Sequence, residues 1–135
     1  MITPKLTVDA IVSYKGRIVL IERKNIPYGW ALPGGFVDVG ETVEDAVRRE
    51  MMEEINVELL DLKQFHVYSD PKRDPRSHTV SVIFTAICDK EPVAGDDAKN
   101  VGLFTCEEIV KLDKDGKLCF DHGNVLSDYF SIYVI

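Results

Sequence analysis

Residues 34–57 read GGFVDVGETVEDAVRREMMEEINV, and the residue types in this stretch specify a loop, a helix and a helix stop in that order. Gly34, Gly35 and Gly40, with Pro33 just before them, are too dense for a helix, so the stretch opens as a loop with room for one or two short strands. Thr42 then stands where an N-cap is expected, and Asp45, three residues on, takes the place of the Glu that usually closes a capping box. Val43, Ala46, Val47, Met51 and Ile55 recur at helical spacing, which predicts a helix over 43–55 with that side packed. Asn56 is the expected stop, because Asn is second only to Gly in tolerating left-handed backbone.

The helix carries an anomaly. Glu50 and Glu54 project into its apolar side and Glu53 lies at the edge of that side, so three carboxylates at i, i+3 and i+4 share one face. Such charges repel one another, and an unpaired carboxylate is costly to bury. Two arrangements relieve the repulsion: structural ion pairs with Arg48, Arg49 and lysines, or hard divalent cations that take oxygen ligands.

Upstream, residues 6–14 and 17–23 are rich in β-branched residues and separated only by Lys15-Gly16, which reads as a hairpin. Downstream, strands are expected near 58–68, 78–89 and 101–105. A second capping box, Thr105 to Glu108, starts a short helix to about Leu112, and a last helix lies near 121–131. Strands outnumber helices and do not alternate strictly with them, so the expected class is α+β. With 135 residues, no repeat and no low-complexity linker, one domain over 1–135 is expected.

The formal charge of −7 disfavours a nucleic-acid partner, since a chain this acidic repels a phosphate backbone. Val80–Cys88, the longest nearly apolar run, is about half of what spans a bilayer, and residues 1–5 lack the pattern of a secretory signal. The expectation is a cytoplasmic protein with neither membrane nor nucleic-acid partners, a homodimer being admitted. Cys88, Cys106 and Cys119 show no CxxC spacing and read as small apolar residues, not as a disulfide or zinc framework.

The stretch from Gly35 resembles the signature of the Nudix hydrolases. Gly35, Glu41, Arg49, Glu50, Glu53, Glu54 and the aliphatic Met51 and Val57 fall in register with it; only the last Gly differs, replaced by Asn56. The resemblance implies a mixed β-sheet sandwiched between α-helices and a metal-dependent hydrolysis of nucleoside diphosphates linked to another group. It also implies Glu50, Glu53 and Glu54 as ligands of Mg²⁺ or Mn²⁺, a backbone carbonyl at Gly34 or Gly35 as a further ligand, and Glu41 and Arg49 as supports.

Substrate choice is read outside the signature. Residues 68–78 resemble the segment of ADP-ribose pyrophosphatases in which a Pro follows the signature by about fifteen residues, with Pro71 as the match. Lys72, Arg73 and Arg76 make this loop the densest basic cluster outside the signature, suited to a diphosphate or a terminal ribose. Tyr28 and Trp30 are candidates to stack on a base. The acids of the 92–97 turn, Asp96 and Asp97, are candidates for the base that deprotonates water, with Asp97 carried as the catalytic choice. The expected activity is cleavage of ADP-ribose to AMP and ribose 5-phosphate. The alternatives are hydrolysis of a nucleoside triphosphate or a dinucleotide and, in a different class, a non-catalytic nucleotide-sugar sensor. Phe120-Asp-His-Gly-Asn124 is distinctive but carries no derivable role at this level.

Overall fold

The computed structural model describes residues 1–133. The strands are β1 (Lys5–Tyr14), β2 (Arg17–Arg23), β3 (Trp30–Ala31), β4 (Gly34–Phe36), β5 (Leu60–Tyr68), β6 (Thr79–Ile87) and β7 (Ala98–Phe104). The helices are α1 (Val43–Ile55), α2 (Cys106–Lys114) and α3 (His122–Tyr133). Lys15 and Gly16 both take positive φ, 49° and 78°, so the predicted β1–β2 hairpin turns as a two-residue loop. The strands run in the order β3-β2-β1-β6-β5, with β4 added on β1 and β7 on β2. β1 and β6 pair in parallel from Lys5↔Thr79 to Ser13↔Ile87, whereas β5 returns antiparallel to β6. The sheet is therefore mixed, as the α+β expectation requires.

Strand alternation distributes the core between two layers. Val8, Ala10 and Val12 of β1, Val19 and Ile21 of β2, and Phe84 and Ala86 of β6 point to one face, where Ala46, Val47, Met51 and Ile55 of α1 pack on them. Ile11, Ile18, Leu20 and Ile83 point to the other, beneath Ile109 of α2 and Val125 and Leu126 of α3. The sheet thus lies between α1 and the pair α2–α3. Met51 and Ile55 are fully buried, and each such side chain contributes about 1.5–3 kcal/mol by leaving water. Asp9 and Ser81 have the same parity as Ile11 and Ile83, so they sit on the α3 face and are buried there.

Helix α1 has the predicted bounds. Thr42 Oγ1 accepts from the Asp45 amide at 3.0 Å, although no reciprocal bond from Asp45 closes the box among the described residues. Asn56 is left-handed at φ 56° and ψ 38°, and its side-chain amide also donates to the Val93 carbonyl at 2.8 Å. That second bond ties the helix end to the loop at 91–97, whose Val93 and Gly95 amides donate to the carbonyls of Ile55 and Glu54. The second capping box, Thr105 with Glu108, is complete, and α2 runs two residues beyond the expected end. β7 starts at Ala98, three residues earlier than expected. Cys88 and Cys119 are buried and Cys106 half-buried, all as free thiols. Among the described residues no helix is long and apolar enough to cross a membrane.

Candidate active site

β4 and α1 meet edge to face, and their contact places the glutamates. A Cβ on Gly35 would stand 2.4 Å from the Glu50 carboxyl carbon, so only glycine lets the strand backbone approach that carboxylate so closely. The Gly34 amide donates to Glu54 Oε2 at 3.0 Å. Arg49 occupies the space among the other acids. Its Nε and Nη2 bind the two Glu41 oxygens at 2.7 and 2.9 Å, Nη1 reaches Glu50 at 2.9 Å and Glu53 at 3.3 Å, and Nη2 also donates to the Phe36 carbonyl. The ion pairs that the sequence admitted as an alternative are thus present for Glu50 and Glu53, through Arg49 alone. Arg48 is used elsewhere, on the Leu59 carbonyl.

The acids titrate according to these surroundings. The Arg49 hydrogen bonds hold Glu41 down at about 2, and in return Glu41 raises the Arg49 guanidinium. Burial raises Glu50 despite Arg49. Among the described residues Glu54 has no cationic partner; burial pushes it up to about 8 against the lowering effect of the Gly34 bond, and the charges of Glu50, Asp9 and Asp97 add to the rise. The last turn of α1 also contains no basic residue, so at the negative end of the helix dipole Glu53 is relieved only by Arg49, one turn back, and Glu54 by the Gly34 amide. A cluster of hard oxygen donors with that much uncompensated charge suits a divalent cation. Among the described residues no three of these carboxylates converge on one point, because Glu50 and Glu53 turn to Arg49 and Glu54 turns to Gly34.

Glu54, Gly34 and Gly35 form one wall of a cleft of about 580 Å³, open mouth included. The profile of the NUDIX domain family matches residues 3–128. The chain belongs to the NUDIX domain family. It is 43% identical over 129 residues to a Methanocaldococcus jannaschii protein named ADP-ribose pyrophosphatase, covering 93% of this chain and 73% of that one. Its fold superposes with a TM-score of 0.84 on a MutT/nudix family protein from Enterococcus faecalis, at 32% identity, over 99% of this chain and 63% of the other. The NUDIX domain of Shewanella oneidensis NrtR, solved with ADP ribose, superposes with a TM-score of 0.81 at 25% identity, over 97% of this chain and 89% of that one.

Within this NUDIX domain the residues expected to contact substrate are dispersed. Arg76 lines the cleft, bound to Asp74 at 2.8 and 3.0 Å. Arg73 also reaches it, but the side chain is only 3% exposed, and its guanidinium is taken up by Asp121 at 2.8 and 3.0 Å and by Thr79 at 2.8 Å. Pro71 and Tyr28 are exposed and outside the cleft lining. Trp30 is half-buried, edge to face with Phe104 at 4.9 Å, and also lies outside it. Asp97 is exposed and near enough to Glu54 to raise its pKa.

Among the cleft-lining residues to which sequence reasoning gave no role are the charged or aromatic Asp9, Arg23, Asp74, Phe120 and His122. Asp9 accepts from Ser81 Oγ at 2.5 Å, and burial raises it to about 6. His122 is buried, accepts from the Leu32 amide through Nδ1 at 3.0 Å, and burial depresses it to about 3. Asp9 had a legible signal, a lone acid among Val8, Ala10, Ile11 and Val12. The segment at 120–124 now has a place: Phe120 lines the cleft, Asp121 clamps the 69–77 loop through Arg73, and His122 holds the backbone just before β4.

Proposed function

We propose that this chain is a single NUDIX domain that hydrolyses the diphosphate of ADP-ribose to AMP and ribose 5-phosphate. One observation carries the reading: a desolvated Glu54 on the cleft wall, one turn from Glu50 and beside Glu53, with Gly34 and Gly35 pressed against the same carboxylates. The relative named ADP-ribose pyrophosphatase and the NrtR domain solved with ADP ribose support the choice of substrate.

Glu50, Glu53 and Glu54 with the Gly35 carbonyl are the residues that would hold Mg²⁺ or Mn²⁺. Such ions neutralise phosphate oxygens and acidify bound water. The chain's own residues do the rest. Glu41 fixes Arg49, and Arg49 in turn orients Glu50 and Glu53. Asp97, whose charge is felt at Glu54, is the residue we assign to take the proton of the attacking water. Water adds its hydroxyl to one phosphorus, the bridging P–O bond breaks, and the other phosphate leaves with the bridging oxygen. Arg76, which also lines the cleft, is assigned to meet the substrate.

The test is product analysis with a substrate panel. ADP-ribose with Mg²⁺ should give AMP and ribose 5-phosphate, chelation should stop turnover, and preference for a nucleoside triphosphate would remove the assignment. Glu54→Gln should lower kcat by on the order of 10³-fold, the scale of several kcal/mol of lost charge stabilisation, with an unchanged melting temperature. Full activity in that variant would sink the metal-site assignment.

A further inference from the structure

Between β3, which ends at Ala31, and β4, which begins at Gly34, the chain leaves the sheet for two residues, Leu32 and Pro33. Leu32 is 2% exposed, and a buried amide left unpaired is costly. Pro33 has no amide to satisfy, and its carbonyl accepts from the Ala10 amide at 3.0 Å. The donor that this break strands, the Leu32 N–H, goes to a side chain 90 residues away in sequence, His122 Nδ1, at 3.0 Å.

The ring is itself held from several sides. His122 opens α3, is buried, and donates its own amide to the Cys119 carbonyl at 3.2 Å. Because Nδ1 accepts, the neutral ring carries its proton on Nε2, which stands 3.8 Å from Asp9 Oδ2. Asp9 lies across Gly34, where a Cβ would come within 2.1 Å of its Oδ1, and is anchored by Ser81 on β6. The two residues before His122 tie it to the cationic end of the cleft: the guanidinium carbons of Arg23 and Arg76 stand 5.0 and 5.1 Å from the Phe120 ring centroid, and Asp121 holds Arg73. What this clamp supports is the backbone that the glutamates use. Two residues past Leu32 the Gly34 amide donates to Glu54, and Gly35 sits against Glu50. β4 is only three residues long, paired with β1 from Asp9↔Gly34 to Thr7↔Phe36, so its start depends on how the two residues before it are held. The fixed φ of Pro33 passes any shift of Leu32 on to Gly34.

We infer that His122 is a positioning residue for the hydrolysis: by accepting from Leu32 it sets the Gly34 amide and the Gly35 carbonyl where a cation held by Glu50, Glu53 and Glu54 requires them. The inference rests on the metal site of the proposed function. Outer residues that orient a metal-holding group are worth about tenfold to a hundredfold in metal affinity, which makes the effect measurable without turnover.

The experiment measures Mn²⁺ binding to the substrate-free protein by electron paramagnetic resonance for the wild type, His122→Leu, His122→Asn and Val125→Ala. Leu fills space but cannot accept, Asn keeps an acceptor, and Val125→Ala loosens the packing of α3 on the sheet while leaving the His122 acceptor in place. If His122→Leu does not fold, His122→Gln replaces it, since its acceptor sits one bond farther from the backbone. The acceptor-less or displaced variant should weaken Mn²⁺ binding about tenfold or more and speed exchange of the Gly34 amide proton, read by NMR below the melting transition. His122→Asn and Val125→Ala should stay within about threefold of the wild type. In turnover, kcat of His122→Leu at limiting Mn²⁺ should fall and recover as Mn²⁺ is raised, with KM for ADP-ribose little changed. Wild-type Mn²⁺ affinity in folded His122→Leu, or an equal loss in Val125→Ala, overturns the inference and leaves the proposed function standing. No Mn²⁺ binding by the wild type at millimolar concentration removes the metal site and the inference with it. If Mn²⁺ binding depends on His122 yet the wild type does not hydrolyse ADP-ribose, the proposed function fails and the role of His122 stands.

Discussion

Replacing Arg73 separates two roles that a basic loop residue can have. Its guanidinium makes two bonds to Asp121 and one to Thr79 while only 3% exposed, and Asp121 itself is 14% exposed. Arg73→Met leaves the Asp121 carboxylate buried without its counter-charge, a loss of about 3–5 kcal/mol for a broken buried pair. An unfolding entropy of about 2.1 cal/mol/K per residue gives about 0.28 kcal/mol/K for this chain, so the melting temperature should fall by about 11–18 °C. The double variant Arg73→Met with Asp121→Leu removes both charges and should recover most of that loss. Circular dichroism melts of the three proteins, with KM for ADP-ribose measured below the lowest transition, form the assay. A single variant that melts within about 2 °C of the wild type but has a raised KM would refute the structural role and return Arg73 to substrate binding.

Gly35→Ala puts a Cβ at 2.4 Å from the Glu50 carboxyl carbon, and since that carboxylate ends a flexible side chain, kcat should fall tenfold or more by about the loss of one ligand position while the melting temperature moves little; unchanged kcat would show that Glu50 is not needed where it stands. Asn56→Val should cost about 2 kcal/mol, from a β-branched residue at φ 56° and the lost bond to Val93. Asn56→Gly should lose only the bond, about 1 kcal/mol less any relief of strain, and equal melting of the two variants would contradict this. His122 is depressed to about 3 by burial among Arg73, Arg23, Asp74 and Asp9, so the unfolded chain binds the proton more readily. Its contribution is complete above pH 6.5 and is lost as pH falls toward 3. Asp9, raised to about 6, acts with the opposite sign in part of that window. His122→Asn, whose side-chain oxygen can still accept from Leu32, should flatten the acid side of a urea-unfolding series, and a profile identical to the wild type would contradict the assignment.

What was legible in the sequence was mostly local. α1, its Thr42 cap and its left-handed Asn56 depend on residues within a few positions of one another, and the hairpin turn depends on two. The glutamate face was legible because helical spacing alone brings 50, 53 and 54 together. The cationic end was not, since Arg23 at the end of β2 meets Arg76 and Phe120 only through two separate loops. Arg73 read as a substrate contact because its partner lies 48 residues downstream, and nothing near it in the chain announces a buried pair. Trp30 gave no cue that Phe104, rather than a nucleobase, is its aromatic neighbour.

The parallel pairing of β1 with β6 has a consequence for how the chain is made. Lys5 meets Thr79 and Ser13 meets Ile87, so the central ladder closes over about seventy residues that include the whole of α1. At a synthesis rate of about 5–20 residues per second, the apolar inner edge of β1 waits on the order of 4–15 s for its partner to emerge from the ribosome. During that interval the hairpin can form, but α1 has only half a sheet to dock on, and the unpaired edge is open to other chains. Non-local closure of this kind is also slow in itself, which places folding nearer to milliseconds or seconds than to the microseconds of a helical bundle. Nascent chains stalled before residue 79 should therefore be sticky, and those released just after residue 87 should be the first able to seal the ladder.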